Sequence, residues 1–235
     1  MKELTKKGYI YSQQESLWGE SECIGFGTDD FYIKEIPRSK AVETIKKNHY
    51  SKKVVNSSFL HLGVFMKNKY VGALQFGYLF NPTYHNKIIK NGKSENAMEL
   101  NRMFLDDIAP TNSESQAISF CIKVIKKKYP KIKWIQSFAD ERCGGFGIVY
   151  QACSFSYYGE HLGEFYELDG VIYHSIQTRR KDNNSKLTVY LRNNKHKLKR
   201  VNLRQFRYIK FIDKRVKKNC LLKEQPYPKH YERTN

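Results

Sequence analysis

Short runs of apolar residues alternate with polar ones over the first hundred positions, and this pattern predicts strands. Residues 31–36 form one such run, and residues 59–66 and 70–78 form two more on either side of Lys67-Asn68-Lys69. That separation is typical of a β-hairpin. Residues 97–105 form a further apolar run of strand length. The first half of the chain therefore predicts a small sheet built partly from a hairpin.

Helical periodicity appears at two places. Residues 40–48 and 111–128 carry apolar residues at the spacing of amphipathic helices. The second of these begins with Thr111-Asn112-Ser113-Glu114, which has the spacing of a capping box. A strand at 132–138 and a short helix at 148–153 follow.

A second hairpin is predicted around Asp169-Gly170, because this dipeptide between two β-rich runs is the strongest short hairpin signal. The resulting order is hairpin, strand, helix, strand, helix, hairpin. We therefore predict an α/β fold with a mixed sheet.

Positive charge is concentrated at the end of the chain. The formal net charge is +19; residues 179–235 hold 19 Lys and Arg against 4 Asp and Glu, while residues 1–178 hold 23 against 19. We therefore divide the chain into a catalytic body, 1–178, and a basic segment, 179–235, packed on it. Such a segment is either a solvated surface that docks its apolar side on the body or a surface that tracks phosphates. We favour double-stranded DNA as the partner, bound by Arg179, Arg180, Arg204, Arg207, Lys210, Lys214 and Arg215.

Composition excludes several classes of protein. With 40% hydrophobic residues the chain is not a disordered basic tail, and it has no apolar run of the roughly 20 residues that a membrane span needs. The first residues have no apolar stretch behind their lysines, so a secretory signal is not expected. Five cysteines without CxxC spacing indicate reduced thiols, and we expect a cytoplasmic protein without membrane contact.

The start of the helix at 111–128 is a candidate anion site. Backbone N–H groups at a helix start attract anions, and the hydroxyls of Ser113 and Ser115 beside Asn112 add donors. A pyrophosphate fits such a position, although plain helix capping explains the same residues. The sequence has neither GxGxxG nor GxxxxGK[ST].

Two further, separate candidate sites lie at the ends of predicted elements, one at Asp140 and the other at His49 and Tyr50. Asp140 ends a strand beside a glycine-rich turn, and ligands of α/β sheets bind outside the carboxyl ends of strands. His49 and Tyr50 follow a helix, and Tyr150 lies inside one. The alternatives are turn capping for Asp140, a helix C-cap for His49 and a core position for Tyr150. The histidines have no zinc-ligand spacing.

The order of elements resembles the Gcn5-related N-acetyltransferase fold, with a basic C-terminal extension. PTNSESQAIS stands where that fold has its Q/RxxGxG/A loop, which sets the chain apart from ordinary acetyltransferases. Its other motifs are ELNRMFLDD, NSESQAIS, WIQSFADERCGGFGIVYQACSFSYYG and QFRYIKFIDKR. Together they resemble the Mom family of bacteriophage DNA adenine-modification proteins, from Ser39 to Lys229.

The resemblance implies an enzyme that converts adenine N6 in DNA to a methylcarbamoyl-type derivative and so protects DNA from restriction endonucleases. It implies acetyl-CoA and iron as cofactors. The residues that it makes catalytic are His49, Tyr50, Asp140 and Tyr150, all expected to face one cleft. The residues assigned to the coenzyme are Arg102, Asn112, Ser113 and Ser115. Iron would be held by His49, Tyr50 and Asp140.

Two other functions stay open at this stage. One is an acetyl-CoA-dependent N-acetyltransferase that acts on a protein or a small amine. The other is a DNA-binding protein without enzymatic activity. The basic segment argues against the first, and the grouping of His49, Asp140 and Tyr150 argues against the second.

Overall fold

One ten-stranded mixed sheet organises the backbone in the computed structural model, which describes residues 7–16, 19–143, 145–175, 178 and 186–229. The strands are β1 (Gly8–Ser16), β2 (Gly19–Gly27), β3 (Phe31–Glu35), β4 (Ser58–Met66), β5 (Lys69–Gly77), β6 (Ala97–Leu105), β7 (Trp134–Asp140), β8 (Ser156–Leu168), β9 (Val171–His174) and β10 (Lys199–Phe211). The helices are α1 (Arg38–Asn48), α2 (His85–Ile88), α3 (Ser113–Lys128), α4 (Ile148–Ala152) and α5 (Lys186–Asn193). The predicted mixed α/β class is confirmed.

Both predicted hairpins are present, and local residue chemistry explains their turns. Lys67 and Asn68 join β4 to β5 with φ of 46° and 64°, and Asp169 and Gly170 join β8 to β9 with φ of 51° and 76°. Two successive residues with positive φ match the right-handed twist of the strands that they connect. The turns therefore fix the register of the two hairpins.

The sheet has two differently covered faces. On one, here called the α3 face, α3 and α4 pack on a large core that includes Leu62, Leu74 and Leu100. On the other, the α1 face, Ala41 of α1 packs on Ala73. Because successive residues of a strand point to opposite faces, Ala73 and Leu74 separate the two layers.

Two neighbouring strands in the middle of the sheet diverge. β6 and β7 are parallel, and their pairing joins Ala97–Glu99 to Trp134–Gln136. Beyond this point a side chain bridges them, since Ser137 Oγ lies 3.1 Å from the Leu100 carbonyl oxygen. The strands therefore open a gap toward their carboxyl ends.

The basic segment supplies an interior strand of the sheet. β10 lies between β7 and β8 and is antiparallel to both. Its Phe206, Tyr208 and Ile209 are fully buried. In the fold the sheet thus runs continuously across the boundary predicted at residue 178, and DNA binding by the segment stays a prediction.

The predicted capping box is wrong. α3 begins after Asn112, which adopts a left-handed conformation with φ of 70° and gives the helix no side-chain cap. Along the part of the chain that the structure describes, no helix is both long enough and apolar enough to cross a bilayer.

We predict that a chain ending at residue 198 does not fold. Removing β10 leaves the facing edges of β7 and β8 unpaired and takes away Phe206 and Tyr208 from the core. Circular dichroism during heating is expected to show a cooperative transition for the full chain and none for the shortened one. The full chain with Lys214→Gln and Lys218→Gln, which loses charge but keeps the strand, should melt like the native protein. A cooperative transition of the shortened chain would show that β10 is dispensable.

Candidate active site

The loop after α1 carries His49 and Tyr50 to the end of β7. The two rings lie 4.2 Å apart between centroids, with His49 buried and Tyr50 53% exposed. The Tyr50 hydroxyl donates to Asp140 Oδ2 at 3.4 Å. The structure thus brings together three of the four residues predicted to be catalytic.

Asp140 is buried, and Arg142 is its main partner. The backbone N–H of Arg142 donates to Asp140 Oδ1 at 3.0 Å, and its guanidinium donates to both carboxylate oxygens. The guanidinium also lies over the rings of Tyr50 at 5.3 Å and Phe165 at 4.6 Å. Arg142 was not predicted from the sequence, where an arginine two residues beyond a strand-ending aspartate is the signal that could have found it.

Arg102 reaches the same group because β6 has a bulge at Asn101. Leu100 pairs with Phe76, whereas Arg102 pairs with Gln75, so one extra residue shifts the alternation. Arg102 therefore lies on the α1 face, where its Nε donates to the Lys53 carbonyl at 2.8 Å. This contact ties the loop after α1 to the sheet beside His49.

Three cations set the electrostatics of the site. Burial, reinforced by Arg102 and Arg142 and opposed by Asp140, lowers the pKa of His49 to about 4. Burial and the same two guanidinium groups lower the pKa of Lys53. Ser51 N–H donates to His49 Nδ1 at 3.1 Å, so the neutral ring carries its proton on Nε2. At pH 7 His49 is therefore a neutral donor.

Tyr150 lies on the other face of the sheet. Its ring is buried against Phe155 and Tyr208, and its hydroxyl lies 2.9 Å from Ser137 Oγ. Ser137 and Asp140 point to opposite faces because they are three positions apart along β7. The structure does not bring Tyr150 together with Asp140, although its hydroxyl does reach the gap between β6 and β7.

The start of α3 borders a cavity of about 390 Å³ between α3 and α4. Asn112, Ser113 and Ser115 line it, as predicted for the coenzyme residues, while Arg102 belongs to the His49 site instead. Three carboxylates also line the cavity, those of Asp106, Asp107 and Glu114, and none of its lining residues is Lys or Arg.

The predicted iron site is not supported. Among the described residues no group of three His, Cys, Asp or Glu side chains is arranged to hold a metal ion. Both oxygens of Asp140 are engaged by Arg142, and Arg102 stands beside His49. Because the Asp140 carboxylate already neutralises an arginine and further cations surround it, these side chains do not suit a divalent metal ion.

The arginines and lysines predicted to bind DNA do not share one surface. Arg204 is paired with Glu141 at 3.0 Å, and Lys210 Nζ donates to the Cys153 carbonyl at 2.9 Å, both on the α3 face. Arg207 lies on the α1 face. Lys214 and Arg215 follow the far end of β10, about 20 Å along the strand from its pairing with Asp140. Arg179 and Arg180 lie outside the described residues.

A buried polar network on the α1 face connects β6, β7 and β10. Gln136 Nε2 donates to Glu99 Oε2 at 2.8 Å, and Arg207 donates to Gln136 Oε1 at 3.2 Å. The Phe80 N–H also donates to Glu99, whose pKa burial raises. The sequence indicates only that Glu99 and Asn101 are polar residues in an apolar strand.

Residues 30–229 match the model of the Mom protein family. The chain belongs to that family. A relative named methylcarbamoylase mom, from Escherichia phage Mu, is 43% identical over 227 residues, which cover 95% of this chain and 94% of the relative. All of the site residues described above lie within the range that matches the Mom family.

Solved structures with a similar outline are acetyltransferases. Arabidopsis thaliana NAA60 in complex with a bisubstrate analogue has a TM-score of 0.49 and 10% identity, over 77% of this chain and 97% of that one. Ribosomal-protein-S5-alanine acetyltransferase from Vibrio fischeri has a TM-score of 0.48 and 14% identity, over 80% and 97%. The fold of this Mom family member is defined by its own strand pairing, not by these similarities.

We predict that His49 makes folding stability depend on pH. Its pKa is about 4 in the folded chain and near 6.5 when exposed, so the unfolded chain binds the extra proton between these values. The free energy of unfolding should therefore fall as pH drops from 6.5 to 4, by about 3 kcal/mol at most from this residue. Urea unfolding of the native chain and of His49→Gln at pH 7 and 4.5 isolates the contribution of His49 to the free energy of unfolding. The same loss of stability in both chains between these pH values would contradict the prediction.

Proposed function

We propose that this chain is a DNA adenine-modifying enzyme that adds a methylcarbamoyl-type group to the N6 amino group. The observation that carries the proposal is the 43% identity to methylcarbamoylase mom across 95% of the chain. The cluster of His49, Tyr50, Arg102 and Asp140 supports it with chemistry suited to a weakly nucleophilic amine. Protection of DNA from restriction endonucleases follows from the same proposal.

The reaction needs help at both reacting groups. The adenine N6 lone pair is delocalised into the ring, so the amine must be held and its proton accepted. The Asp140 carboxylate is the acceptor on the α1 face, and Tyr50 and Arg142 hold it in place. The Nε2–H of the neutral His49 is suited to donate to the carbonyl oxygen of the incoming group, where negative charge develops.

Acetyl-CoA is the proposed coenzyme, with its pyrophosphate at the start of α3. N–H groups in the first turn of a helix have no partner within the helix, so those of Glu114 and Ser115 are available there to an anion. When bound, acetyl-CoA supplies an activated two-carbon acyl group. An acetyl group has no nitrogen between carbonyl and methyl, so a methylcarbamoyl product needs a further nitrogen source.

Tyr150 is assigned to the coenzyme side of this reaction. It belongs to α4, whose Ile148, Val149 and Ala152 line the same cavity as the start of α3. Its hydroxyl reaches the gap between β6 and β7, 2.9 Å from Ser137 Oγ. A phenol at that position is suited to give a proton to a leaving thiolate.

We predict that Asp140→Asn abolishes the modification while binding of DNA is kept. The change preserves side-chain size but removes the proton acceptor from the amine. The measurement is mass spectrometry of nucleosides from plasmid DNA recovered after expression, together with DNA binding by the purified variant. A modified deoxyadenosine is expected with the native chain and not with Asp140→Asn.

Asp213→Asn is the matched control. Asp213 also follows a strand and pairs with an arginine two residues later, with Arg215 N–H donating to Oδ1 at 3.1 Å, but it lies at the other end of β10. This variant should modify DNA like the native chain. Unmodified adenine in DNA that the native chain demonstrably binds would favour a non-enzymatic DNA-binding protein. Acetylation of a protein or amine instead of DNA would favour an N-acetyltransferase.

We predict that removing negative charge from the α3 cavity strengthens coenzyme binding. Asp107→Asn and Glu114→Gln each remove a carboxylate that lines the proposed pyrophosphate site. The dissociation constant for CoA, measured calorimetrically at low salt, should fall by about 2-fold to 5-fold per charge. Asp29→Asn, an exposed carboxylate in the turn before β3, should leave it unchanged. Equal or weaker binding by the cavity variants would place the pyrophosphate elsewhere.

A further inference from the structure

We propose that a partly exposed cluster of planar side chains beside Asp140, formed by Phe138, Arg207 and Tyr84, is the place where the target purine base stacks. The proposal rests on the proposed function and names the part of the protein that holds the base. None of the three residues carries the transfer chemistry described above. Their role would be to position the purine so that its amino group reaches Asp140.

Strand geometry places this surface next to the reacting groups. Phe138 precedes Asp140 by two residues on β7, so both side chains lie on the α1 face, about 7 Å apart along the strand. Arg207 of β10 is the direct pairing partner of Phe138. A base that covers Phe138 would therefore have an edge within reach of the Asp140 carboxylate.

The side chains of this surface contact one another. The Arg207 guanidinium lies 5.0 Å from the Phe138 ring and 5.2 Å from the Tyr84 ring. The His161 ring stands on the edge of Phe138, with centroids 5.5 Å apart and planes at 85°. Aromatic rings and guanidinium planes are the groups on which nucleic acid bases stack in proteins.

This part of the α1 face is partly open. Nearer the start of β7, Trp134 and Ile209 are buried under Leu79, Ile88 and Ile89. Phe138, Arg207 and Tyr84 are only partly buried, and Tyr50 at 53% exposure and Phe80 at 65% lie in loops that flank the α1 face. Aromatic side chains therefore stand both at the base and at the rim of the surface.

The charges point to a base with phosphates around it. Arg207 already donates to Gln136, which in turn donates to Glu99, so one end of the guanidinium is anchored in the buried polar network. Arg142 pairs with Asp140, Arg102 lies close to Asp140 and Arg142, and Lys53 lies close to both arginines. Cations next to aromatic and guanidinium groups are complementary to a nucleotide, whose base is planar and whose backbone is anionic.

The experiment compares two short single strands that differ by one base. One carries a single adenine flanked by abasic sugars, and the other is abasic throughout, so that both have the same number of phosphates. Fluorescence anisotropy should show that the native chain binds the adenine strand about 5-fold to 100-fold more tightly. Phe138→Leu should lose most of this difference, with unchanged binding of the abasic strand. Phe138→Tyr, which keeps the ring, should retain it.

Tyr11→Leu is the control, because Tyr11 is an aromatic residue of similar exposure to Tyr50 on the edge strand β1. It should bind both strands like the native chain, and circular dichroism should show that all variants keep the native fold. An unchanged preference for adenine in folded Phe138→Leu, or no preference in the native chain, would overturn the proposal. Because binding is measured without product formation, failure of the proposed chemistry leaves this result interpretable: a preference that depends on Phe138 would still identify a purine site.

Discussion

The early end of the β6–β7 pairing is the constraint on which the rest of this molecule depends. The two strands are paired through Glu99 and Gln136, whose side chains are joined at 2.8 Å, and then diverge around Ser137. The gap lies between the α3 face, with the helix-start cavity and Tyr150, and the α1 face, with His49 and Asp140. In the proposed reaction the coenzyme and the base occupy different faces of one sheet, and a reactive group can pass between them only where the strands separate.

A buried carboxylate lies at the point where the β6–β7 pairing ends. Glu99 is 7% exposed, and an isolated charge at such depth would cost several kcal/mol. Donors from Gln136, Asn101 and the Phe80 backbone offset that cost, and each comes from a different part of the site. The same carboxylate therefore connects β6, β7 and the loop that carries Phe80, so that the walls of the α1 face are fixed relative to one another. The Asn101 bulge that belongs to this group also turns Arg102 toward His49.

Elements that are specified by nearby residues were predicted well from the sequence. An element that depends on distant parts of the chain was not. Lys67-Asn68 and Asp169-Gly170 specify their turns by themselves, and the apolar period alone predicts α3. β10 was not predicted as a strand, because its alternation of aromatic residues and cations fits a surface segment equally well. Only its position between β7 and β8, which are distant in sequence, distinguishes the two. In the site, the resemblance to the Mom family grouped Asp140, His49 and Tyr50, and the structure brings these three residues together. Tyr150 was placed on the wrong side of the sheet, because a helix of five residues does not reveal in sequence which face it covers.

Folding distributes the cations that produce the net charge of +19 over both faces of the sheet. Alternation along β10 sends Arg204 and Lys210 to the α3 face, where Glu141 and backbone carbonyls engage them, and sends Arg207 to the α1 face. The cations closest to the reacting groups are instead Lys53, Arg102 and Arg142, from three segments that are far apart in the sequence. Coulomb attraction decays over about 8 Å in physiological salt, so charges beyond that distance add to encounter with DNA more than to the placement of one nucleotide. The basic segment therefore serves the site chiefly through its strand, which carries Arg207 to the side of Phe138, while the cations that surround the base come from the body of the chain.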